Sequence, residues 1–284
     1  MCKVNTINIH FLDACNYVCH HCFVKKESNQ LNFEQITVIV DKIYDYFIEE
    51  DIQDGRINLA GGEPLLSKDI DKIIEYIFNK GIKVSIITNG FYLTKKFIDR
   101  HVNQLCCIGI SVDSLKLSTN QRIGRCQKDG KSIGVKQLID ICKYVKHSGI
   151  KLKINTCVSK LNYQEDFRSF LEQVRPDRYK VLQMLCDDYD IVNVSNRIND
   201  SQMNEFVELH KEFISVKETA KELKKSYLIV DSQGNLTYNN SHNLTYSIFD
   251  NKVSNILEQL KLNEQDFERR YNNEYQHRII NQQF

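Results

Sequence analysis

The sequence has 284 residues, and its 38 Lys and Arg residues against 37 Asp and Glu residues give a formal net charge of +1. This balance excludes a polyanion-coating protein and a polybasic membrane anchor, so we expect no nucleic acid and no membrane among the partners. No run approaches the ~18 apolar residues that a membrane span needs, and the N-terminus shows no signal-peptide pattern. We therefore expect a soluble, cytoplasmic protein.

Hydrophobic periodicity predicts that strands alternate with helices up to residue 185. The predicted strands cover residues 4–11, 56–59, 83–88, 107–112, 151–158 and 178–185, and the predicted helices cover 32–49, 69–79, 94–100, 136–147 and 164–174. This alternation favours right-handed crossovers and a parallel sheet. A closed barrel needs eight such units. The predicted fold is therefore α/β, an open partial (β/α)6 barrel with ligands at the carboxyl ends of its strands.

The pattern becomes less regular after Cys186. It continues with a polar stretch, a predicted helix over about 201–216, a hairpin-like segment over 226–238 and a helical run from 253. We predict two parts, a barrel over residues 1–185 and a C-terminal extension over 186–284 that caps the barrel and closes the substrate site.

Three of the ten cysteines form a C-x3-C-x2-C motif, Cys15, Cys19 and Cys22, in the loop after the first predicted strand. Structural zinc takes four ligands from paired motifs, and no second C-x2-C with compatible spacing follows. A four-iron cluster held by three thiolates leaves one iron open to a small molecule. The motif therefore favours a [4Fe-4S] cluster, with a zinc knuckle or incidental thiols as alternatives. The cysteines at 106, 107, 126, 142 and 186 are interpreted as core residues.

Two further features accompany this motif, the aromatic Phe23 directly after it and Gly61-Gly62-Glu63-Pro64 after the second predicted strand. With them the sequence resembles the radical S-adenosylmethionine (SAM) enzymes. The resemblance implies that the amino and carboxylate groups of SAM chelate the open iron and that reductive cleavage yields a 5′-deoxyadenosyl radical. Glycines at a strand end let the backbone approach a ligand closely, and Glu63 can accept a hydrogen bond from the ligand's ammonium group.

Several short segments resemble one branch of these enzymes, the viperins, which are antiviral lyases that dehydrate a ribonucleoside triphosphate to its 3′-deoxy-3′,4′-didehydro analogue. The matching segments occur in family order over about residues 7–231 and include 8–11, 15–19, 110–114, 122–125, 153–155, 178–181 and 226–229. Arg56 stands where the family often has lysine, and Ala60 where it often has serine. Because the chain begins almost at the first strand, we expect a soluble microbial member.

Side-chain alternation along the predicted strands places polar residues on one face and apolar residues on the other. Arg56 then shares a face with Asn58, Lys153 with Asn155, and Arg178 with Lys180. Burying several cations together is costly unless an anion neutralises them, and arginine and lysine both bind phosphate. The pattern predicts an anion inside the barrel, whereas a solvated rim or structural ion pairs remain the alternative.

The resemblance assigns roles to individual residues. It implies that nucleotide is bound by Asn8, Arg56, Lys153, Asn155, Arg178 and Lys180, and that SAM is contacted by Phe23, Gly61, Gly62, Glu63, Asn89, Ser111 and Arg125. It implies that Tyr227 donates a proton at the substrate site, which suits a neutral phenol with a reference pKa of about 10.

The implied reaction removes the ribose 4′-hydrogen, releases the 3′-hydroxyl as water and ends with a one-electron reduction from a flavodoxin- or ferredoxin-like donor. One alternative is another radical SAM enzyme with a different substrate. Radical SAM enzymes that carry a second cysteine cluster are disfavoured, because no cysteine follows Cys186. The other alternative is a noncatalytic metal- or nucleotide-binding sensor. The preferred nucleobase is not determined by these motifs.

Overall fold

Alternating strands and helices make up the part of the chain that the computed structural model describes, residues 3–22, 24, 28–185, 195–223, 227–238, 244–260 and 267. The strands are β1 (Thr6–His10), β2 (Arg56–Ala60), β3 (Lys83–Thr88), β4 (Leu105–Ser111), β5 (Lys151–Val158), β6 (Arg178–Gln183), β7 (Ile214–Glu218), β8 (Leu228–Val230), β9 (Asn235–Tyr238) and β10 (Tyr246–Ser247). The helices are α1 (Phe33–Glu49), α2 (Ile70–Asn79), α3 (Lys95–Arg100), α4 (Leu117–Ile123), α5 (Val135–His147), α6 (Arg168–Val174), α7 (Asp200–Leu209), α8 (Ala220–Leu223) and α9 (Val253–Leu260).

One sheet joins all of these strands in the order β10-β9-β8-β1-β2-β3-β4-β5-β6-β7. The pairs from β1 to β7 are parallel, and β8 also pairs in parallel with β1. The strands β8, β9 and β10 are joined by antiparallel pairs. Because no β7–β8 pair closes the sheet among the described residues, the predicted open α/β barrel is confirmed.

Apolar residues on the outer face of the sheet pack against amphipathic helices. Ile7, Ile57 and Ile154 are fully buried there. The apolar side of α1 contributes a buried stripe at i, i+3, i+4 and i+7, which is the helical period. Helix α1 begins at Asn32, whose side chain forms a capping box with Gln35. Along the described part of the chain, no helix is long and apolar enough to cross a bilayer.

The C-terminal part adds strands at both edges of the six-stranded core. The predicted hairpin is confirmed as β8 and β9, but the predicted helix over 201–216 is wrong in its second half, where Ile214–Glu218 forms β7. The pairing of β7 with β6 supplies backbone hydrogen bonds that local periodicity does not reveal. Helix α4 is a further element that the periodicity did not predict.

Candidate active site

The cysteine loop, residues 11–31, leaves β1 at the carboxyl end of the sheet and returns to α1. Its two ends are joined by backbone hydrogen bonds from Asp13 N to Asn29 O at 3.0 Å and from Leu31 N to Phe11 O at 2.9 Å. Within it, Cys15 and Cys22 are exposed and Cys19 is half-buried, and all three are free thiols. Phe23 lies outside the described residues.

The glycines after β2 hold this loop by close backbone contact. Gly62 N donates to Leu12 O and Glu63 N donates to Ala14 O, both at 2.8 Å. Gly61 has a φ of +122°, and a Cβ on Gly62 would lie 2.0 Å from Ala14 O. The two glycines therefore allow the backbones of the cysteine loop and the β2 end to meet, a role within the protein that the sequence analysis did not anticipate.

The Glu63 carboxylate is fully buried and bound by donors of the protein. Oε1 accepts from Thr88 Oγ1 at 2.7 Å and from Leu65 N at 3.1 Å, and Oε2 accepts from Asn89 N at 2.8 Å. Burial raises the pKa of Glu63, although these hydrogen bonds act in the opposite direction. Glu63 thus ties the ends of β2 and β3 together, and its predicted contact with a ligand ammonium group stays a prediction.

Asn89 connects the β3 end with the cysteine loop. Its Nδ2 donates to Asn16 Oδ1 at 2.8 Å and lies 3.9 Å from Cys15 Sγ, while its Oδ1 accepts from Phe91 N at 2.9 Å. The ring of Phe91 in turn packs edge-on against Tyr17, with 5.9 Å between ring centroids. The predicted cofactor residue Asn89 therefore lies directly beside the first cysteine of the motif.

A second anchor of the loop is the backbone at the end of α4. Val18 N donates to Gly124 O at 3.1 Å and to Cys126 O at 3.0 Å, and His20 N donates to Ile123 O at 3.0 Å. Gly124 has a φ of +77°, and a Cβ there would lie 2.6 Å from Val18 O. Helix α4 consequently ends in a left-handed residue that leaves space for the cysteine loop.

Asp113 is the centre of a buried polar network behind the cysteines. Its carboxylate contacts Arg125 Nη1 at 3.1 Å and His21 Nε2 at 3.4 Å, and it accepts from Cys157 N at 2.9 Å. Burial alone would raise the pKa of Asp113, but Arg125 and His21 outweigh it and lower that pKa to about 2. Arg125 also donates to Ser111 O, so two predicted SAM residues belong to one network.

The thiols of Cys15 and Cys19 favour the protonated state in the protein alone. Desolvation raises the pKa of Cys15 to about 11, and the nearby charges of Glu63, Cys19 and Cys22 add to the increase. Desolvation also raises the pKa of Cys19, against the effect of Arg125. The three thiols therefore repel one another as thiolates, and a cationic centre between them would relieve that repulsion.

Polar side chains line the inner face of the sheet, as their alternation predicted. The strand register pairs Thr6 with Arg56, Lys153 with Arg178, and Asn155 with Lys180. Burial lowers the pKa of His10, on the same face of β1, to about 4, so its imidazole is neutral at pH 7. The positive charge of the interior comes from lysine and arginine, which suits an anionic ligand.

Asn8 is held by neighbours on two strands, β8 and β2. Its Nδ2 donates to Leu228 O at 2.8 Å, and its Oδ1 accepts from Asn58 Nδ2 at 3.0 Å. Asn58 Oδ1 accepts in turn from Ser85 Oγ. This chain of hydrogen bonds runs from β8 through β1 and β2 to β3 and fixes the polar inner face around Asn8.

Lys180 and Tyr227 meet at a third residue that the sequence analysis missed, Glu218. Lys180 Nζ lies 2.6 Å from Glu218 Oε1, and Tyr227 Oη donates to Glu218 Oε2 at 2.6 Å. Lys180 Nζ also donates to Tyr227 Oη. The structure therefore places the predicted proton donor beside a predicted nucleotide residue, from which it is 47 positions distant in sequence.

The predicted site residues fall into two neighbouring groups. One surrounds the cysteine loop, and it consists of Gly61, Gly62, Glu63, Asn89, Ser111 and Arg125. The other lies on the inner face of the sheet, and it consists of Asn8, Arg56, Lys153, Asn155, Arg178 and Lys180 with Tyr227.

Two structurally central residues were missed, Asp113 and Glu218. Asp113 lies two residues after the end of β4, where polar residues at strand ends are a recognisable signal. Asn58 was placed on the polar face with Arg56, but no role was assigned to it. Glu218 had no such signal, because it lies at the end of β7, a strand that was predicted as helix or left unassigned.

Comparison with known proteins shows the family to which the chain belongs. Residues 9–174 match the Radical SAM superfamily, and the chain belongs to that superfamily. A protein from Psychrobacter lutiphocae, called S-adenosylmethionine-dependent nucleotide dehydratase, is 30% identical over 288 residues that cover 95% of each chain. One of the same name from Flammeovirga pacifica is 31% identical over 93% of each chain. Within the superfamily, the chain therefore belongs to the S-adenosylmethionine-dependent nucleotide dehydratases, which confirms the resemblance that the motifs indicated.

Solved structures show the same fold at low sequence identity. SuiB from Streptococcus suis, bound to its precursor peptide SuiA, superposes with a TM-score of 0.69 at 16% identity, covering 89% of this chain and 64% of SuiB. This likeness concerns the fold alone.

The close backbone approach at Gly62 gives a testable prediction. We expect Gly62→Ala to lower the free energy of unfolding by about 1–3 kcal/mol, the usual cost of overpacking, because its Cβ would collide with Ala14 O. Chemical denaturation followed by circular dichroism measures this change. Gly134→Ala is the matched control, since a Cβ there meets nothing within 4 Å. Equal stability of the two variants would contradict the predicted contact.

The buried Asp113 network gives a prediction about acid stability. Because the pKa of Asp113 is about 2 in the folded protein and 3.8 is its ordinary value, its contribution is present above pH ~4 and lost as the pH falls toward 2. Arg125→Met removes the main charge that lowers this pKa, so the midpoint of acid unfolding should move to higher pH and stability at pH 7 should fall by about 3–5 kcal/mol.

Arg122→Met is the charge-matched control for this experiment, because Arg122 is exposed and lies one turn away on α4. Acid titrations followed by circular dichroism should place its midpoint at the wild-type value. An unchanged midpoint in Arg125→Met as well would show that Arg125 does not stabilise the Asp113 carboxylate.

Proposed function

We propose that this protein is a SAM-dependent dehydratase that converts a ribonucleoside triphosphate to its 3′-deoxy-3′,4′-didehydro analogue. The observation that supports this most is the position of the cysteine loop at the carboxyl end of a sheet whose inner face carries Arg56, Lys153, Arg178 and Lys180. Relatives of nearly the same length carry the name nucleotide dehydratase.

The cofactors in this proposal are a [4Fe-4S] cluster and SAM. Cys15, Cys19 and Cys22 would each ligate one iron through a thiolate. Among the described residues, no three His, Cys, Asp or Glu side chains converge on a single metal ion. A four-iron cluster does not need such convergence, because each thiolate binds a different iron. When bound, cluster and SAM supply the radical that removes the ribose 4′-hydrogen.

The residues around the cysteine loop would hold SAM. The backbone of the Gly61–Glu63 segment and the Asn89 side chain lie against the loop that carries the thiols. Arg125 and Ser111 would join this set through the Asp113 network. Phe23 completes the proposed set. These residues orient the cofactor and keep the cysteine loop in place beside the inner face of the sheet.

The cations of the inner face would bind the triphosphate. Each phosphoryl group carries negative charge and several acceptor oxygens, which suit bidentate contacts from arginine and point charges from lysine. Asn8 and Asn155 lie on the same face, as amide donors and acceptors for the ribose or phosphate.

Tyr227 would act as the general acid. After the 4′-hydrogen has been removed, the C3′–O bond breaks as the 3′-hydroxyl takes a proton from Tyr227 and departs as water. The remaining radical cation takes up one electron to give the product alkene. We propose a flavodoxin- or ferredoxin-like protein as the electron donor. Tyr227 lies beside Lys180 on the inner face, so its phenol would supply the proton there without bulk water.

Residues 186–284 would form an extension that closes the substrate site over the barrel of residues 1–185. The contacts of Glu218 and Tyr227 with Lys180 support this division, since both side chains come from the extension and reach the inner face. The described cysteines are free thiols, which supports a reducing compartment such as the cytoplasm.

Formation of 5′-deoxyadenosine tests the proposed function. Anaerobically reconstituted protein with reductant and SAM is assayed alone and with ATP, CTP, GTP or UTP. We expect one triphosphate to stimulate formation strongly and to give a product lighter by one water, detected by mass spectrometry. Cys19→Ala should lose iron, sulfide and all SAM cleavage, whereas Cys142→Ala, in the apolar core, should keep them. SAM cleavage that no triphosphate changes would point to a different substrate class.

Nucleotide affinity tests the role of the cationic inner face. Lys153→Met should raise KM for the preferred triphosphate by about 10- to 100-fold, the loss expected for one charged hydrogen bond, and leave iron content unchanged. Lys151→Met is the control, because Lys151 is exposed at the start of the same strand. An unchanged KM in Lys153→Met would show that this lysine does not contact the nucleotide.

A further inference from the structure

Two strands that are not neighbours in the sheet approach each other at the open side of the barrel. Strand β7 pairs with β6, and β8 pairs with β1, so the six strands β1 to β6 lie between them in the sheet. Tyr227, directly before β8, nevertheless donates its hydroxyl proton to Glu218 at the end of β7, at 2.6 Å. The curvature of the sheet therefore brings its two sides together at this hydrogen bond.

Glu218 divides its carboxylate between two partners. Oε1 lies 2.6 Å from Lys180 Nζ and Oε2 accepts from Tyr227 Oη, while Lys180 also donates to the Tyr227 oxygen. Glu218 is 1% exposed and Lys180 2% exposed. An ion pair buried this deeply contributes little net stability compared with apolar side chains. The arrangement instead fixes the position of the phenol oxygen between Lys180 and Glu218.

We propose that Glu218 is a positioning residue, which holds the Tyr227 hydroxyl and the Lys180 ammonium together as one proton-donating unit for the departure of the ribose 3′-hydroxyl. This inference rests on the proposed function. It adds that Lys180 serves the proton donor through Glu218, beyond its charge contact with nucleotide. Glu218 itself exchanges no proton with the substrate.

The proposed step transfers one proton to the ribose 3′-oxygen and breaks the C3′–O bond. The Tyr227 proton passes to the 3′-oxygen, the C3′–O bond breaks with its electron pair, and water leaves. The Tyr227 phenolate then takes a proton from the Lys180 ammonium, and solvent restores the ammonium. The one-electron donor of the proposed function completes the product. Glu218 stays ionised throughout and keeps Lys180 and Tyr227 in contact.

Charged or titratable side chains of four strands share the inner face with this unit. Strand β7 contributes Glu218 and β6 contributes Arg178 and Lys180 from the inner face, and β1 and β2 contribute His10 and Arg56. Among these groups, Glu218 is the carboxylate. Removal of its negative charge, with Lys180 still in contact with the phenol oxygen, therefore favours the phenolate form of Tyr227.

The test compares Glu218→Gln with the wild-type holoenzyme. We expect the ratio of 5′-deoxyadenosine to dehydrated nucleotide to rise by roughly tenfold or more, because radicals form while the hydroxyl departs slowly. This is part of the rate enhancement of about 10²–10⁴-fold that a general acid contributes. KM for the nucleotide should change little, and the alkaline limb of the kcat profile should move to lower pH. A general loss of structure would lower both products together and leave their ratio unchanged.

A double-mutant comparison tests whether Glu218 acts through Tyr227. Tyr227→Phe and the double variant Tyr227→Phe/Glu218→Gln should show the same product ratio, since the second change removes support from a group that is already absent. Glu208→Gln is the charge-matched control, because Glu208 is exposed and pairs with Lys211 on the surface. It should keep the wild-type ratio.

The double variant Glu218→Gln/Lys180→Met controls for misfolding of Glu218→Gln, in which the buried Lys180 ammonium group has lost its carboxylate partner. It removes both charges and should still show the raised product ratio. If the wild type forms no dehydrated nucleotide at all, the proposed function fails. If the wild type forms it and both Glu218 variants keep the wild-type ratio and pH profile, the positioning role of Glu218 is overturned.

Discussion

Parallel strand pairing is the constraint on which the site depends. Because the strands from β1 to β6 run in the same direction, their carboxyl ends lie at one edge of the sheet. The cysteine loop, the glycine segment, Asn89 and Asp113 all follow those ends. Backbone hydrogen bonds then join them, from Gly62 to Leu12 and from Val18 to Gly124. The loop that carries the thiols is thus held by the ends of three different strand–helix units.

The two faces of the sheet differ in polarity. The outer face buries isoleucine, leucine and valine under the helices, and this burial drives folding. The inner face keeps cations and amides that the outer face could not tolerate. Two of its charges are almost completely buried, Lys180 and Glu218, and they balance each other. The lysine and arginine side chains of this face have the chemistry that binds phosphate, which is the physical basis for proposing an anionic substrate.

A feature of the structure was predictable where its signal comes from residues that are close together in the sequence. The strands of the barrel, the helices α1, α2 and α5, and the inner-face set around Lys153 and Arg178 were predictable, because side-chain period and burial reflect neighbours in sequence. Strand β7 was not predictable, since its pairing with β6 depends on residues about 35 positions away. The partnership of Glu218 with Lys180 and Tyr227 remained hidden for the same reason.

The sequence by itself determined the family, the thiol spacing and the alternation that produces an open α/β barrel. It also placed lysine, arginine and asparagine on one strand face, because alternation of side chains is a property of every strand. Only the tertiary structure decided that Gly61 and Gly62 serve a backbone contact, that Glu63 is bound by protein donors, and that Tyr227 meets Glu218. Those outcomes depend on the curvature of the sheet and the packing of its loops, which bring together groups that no local pattern connects.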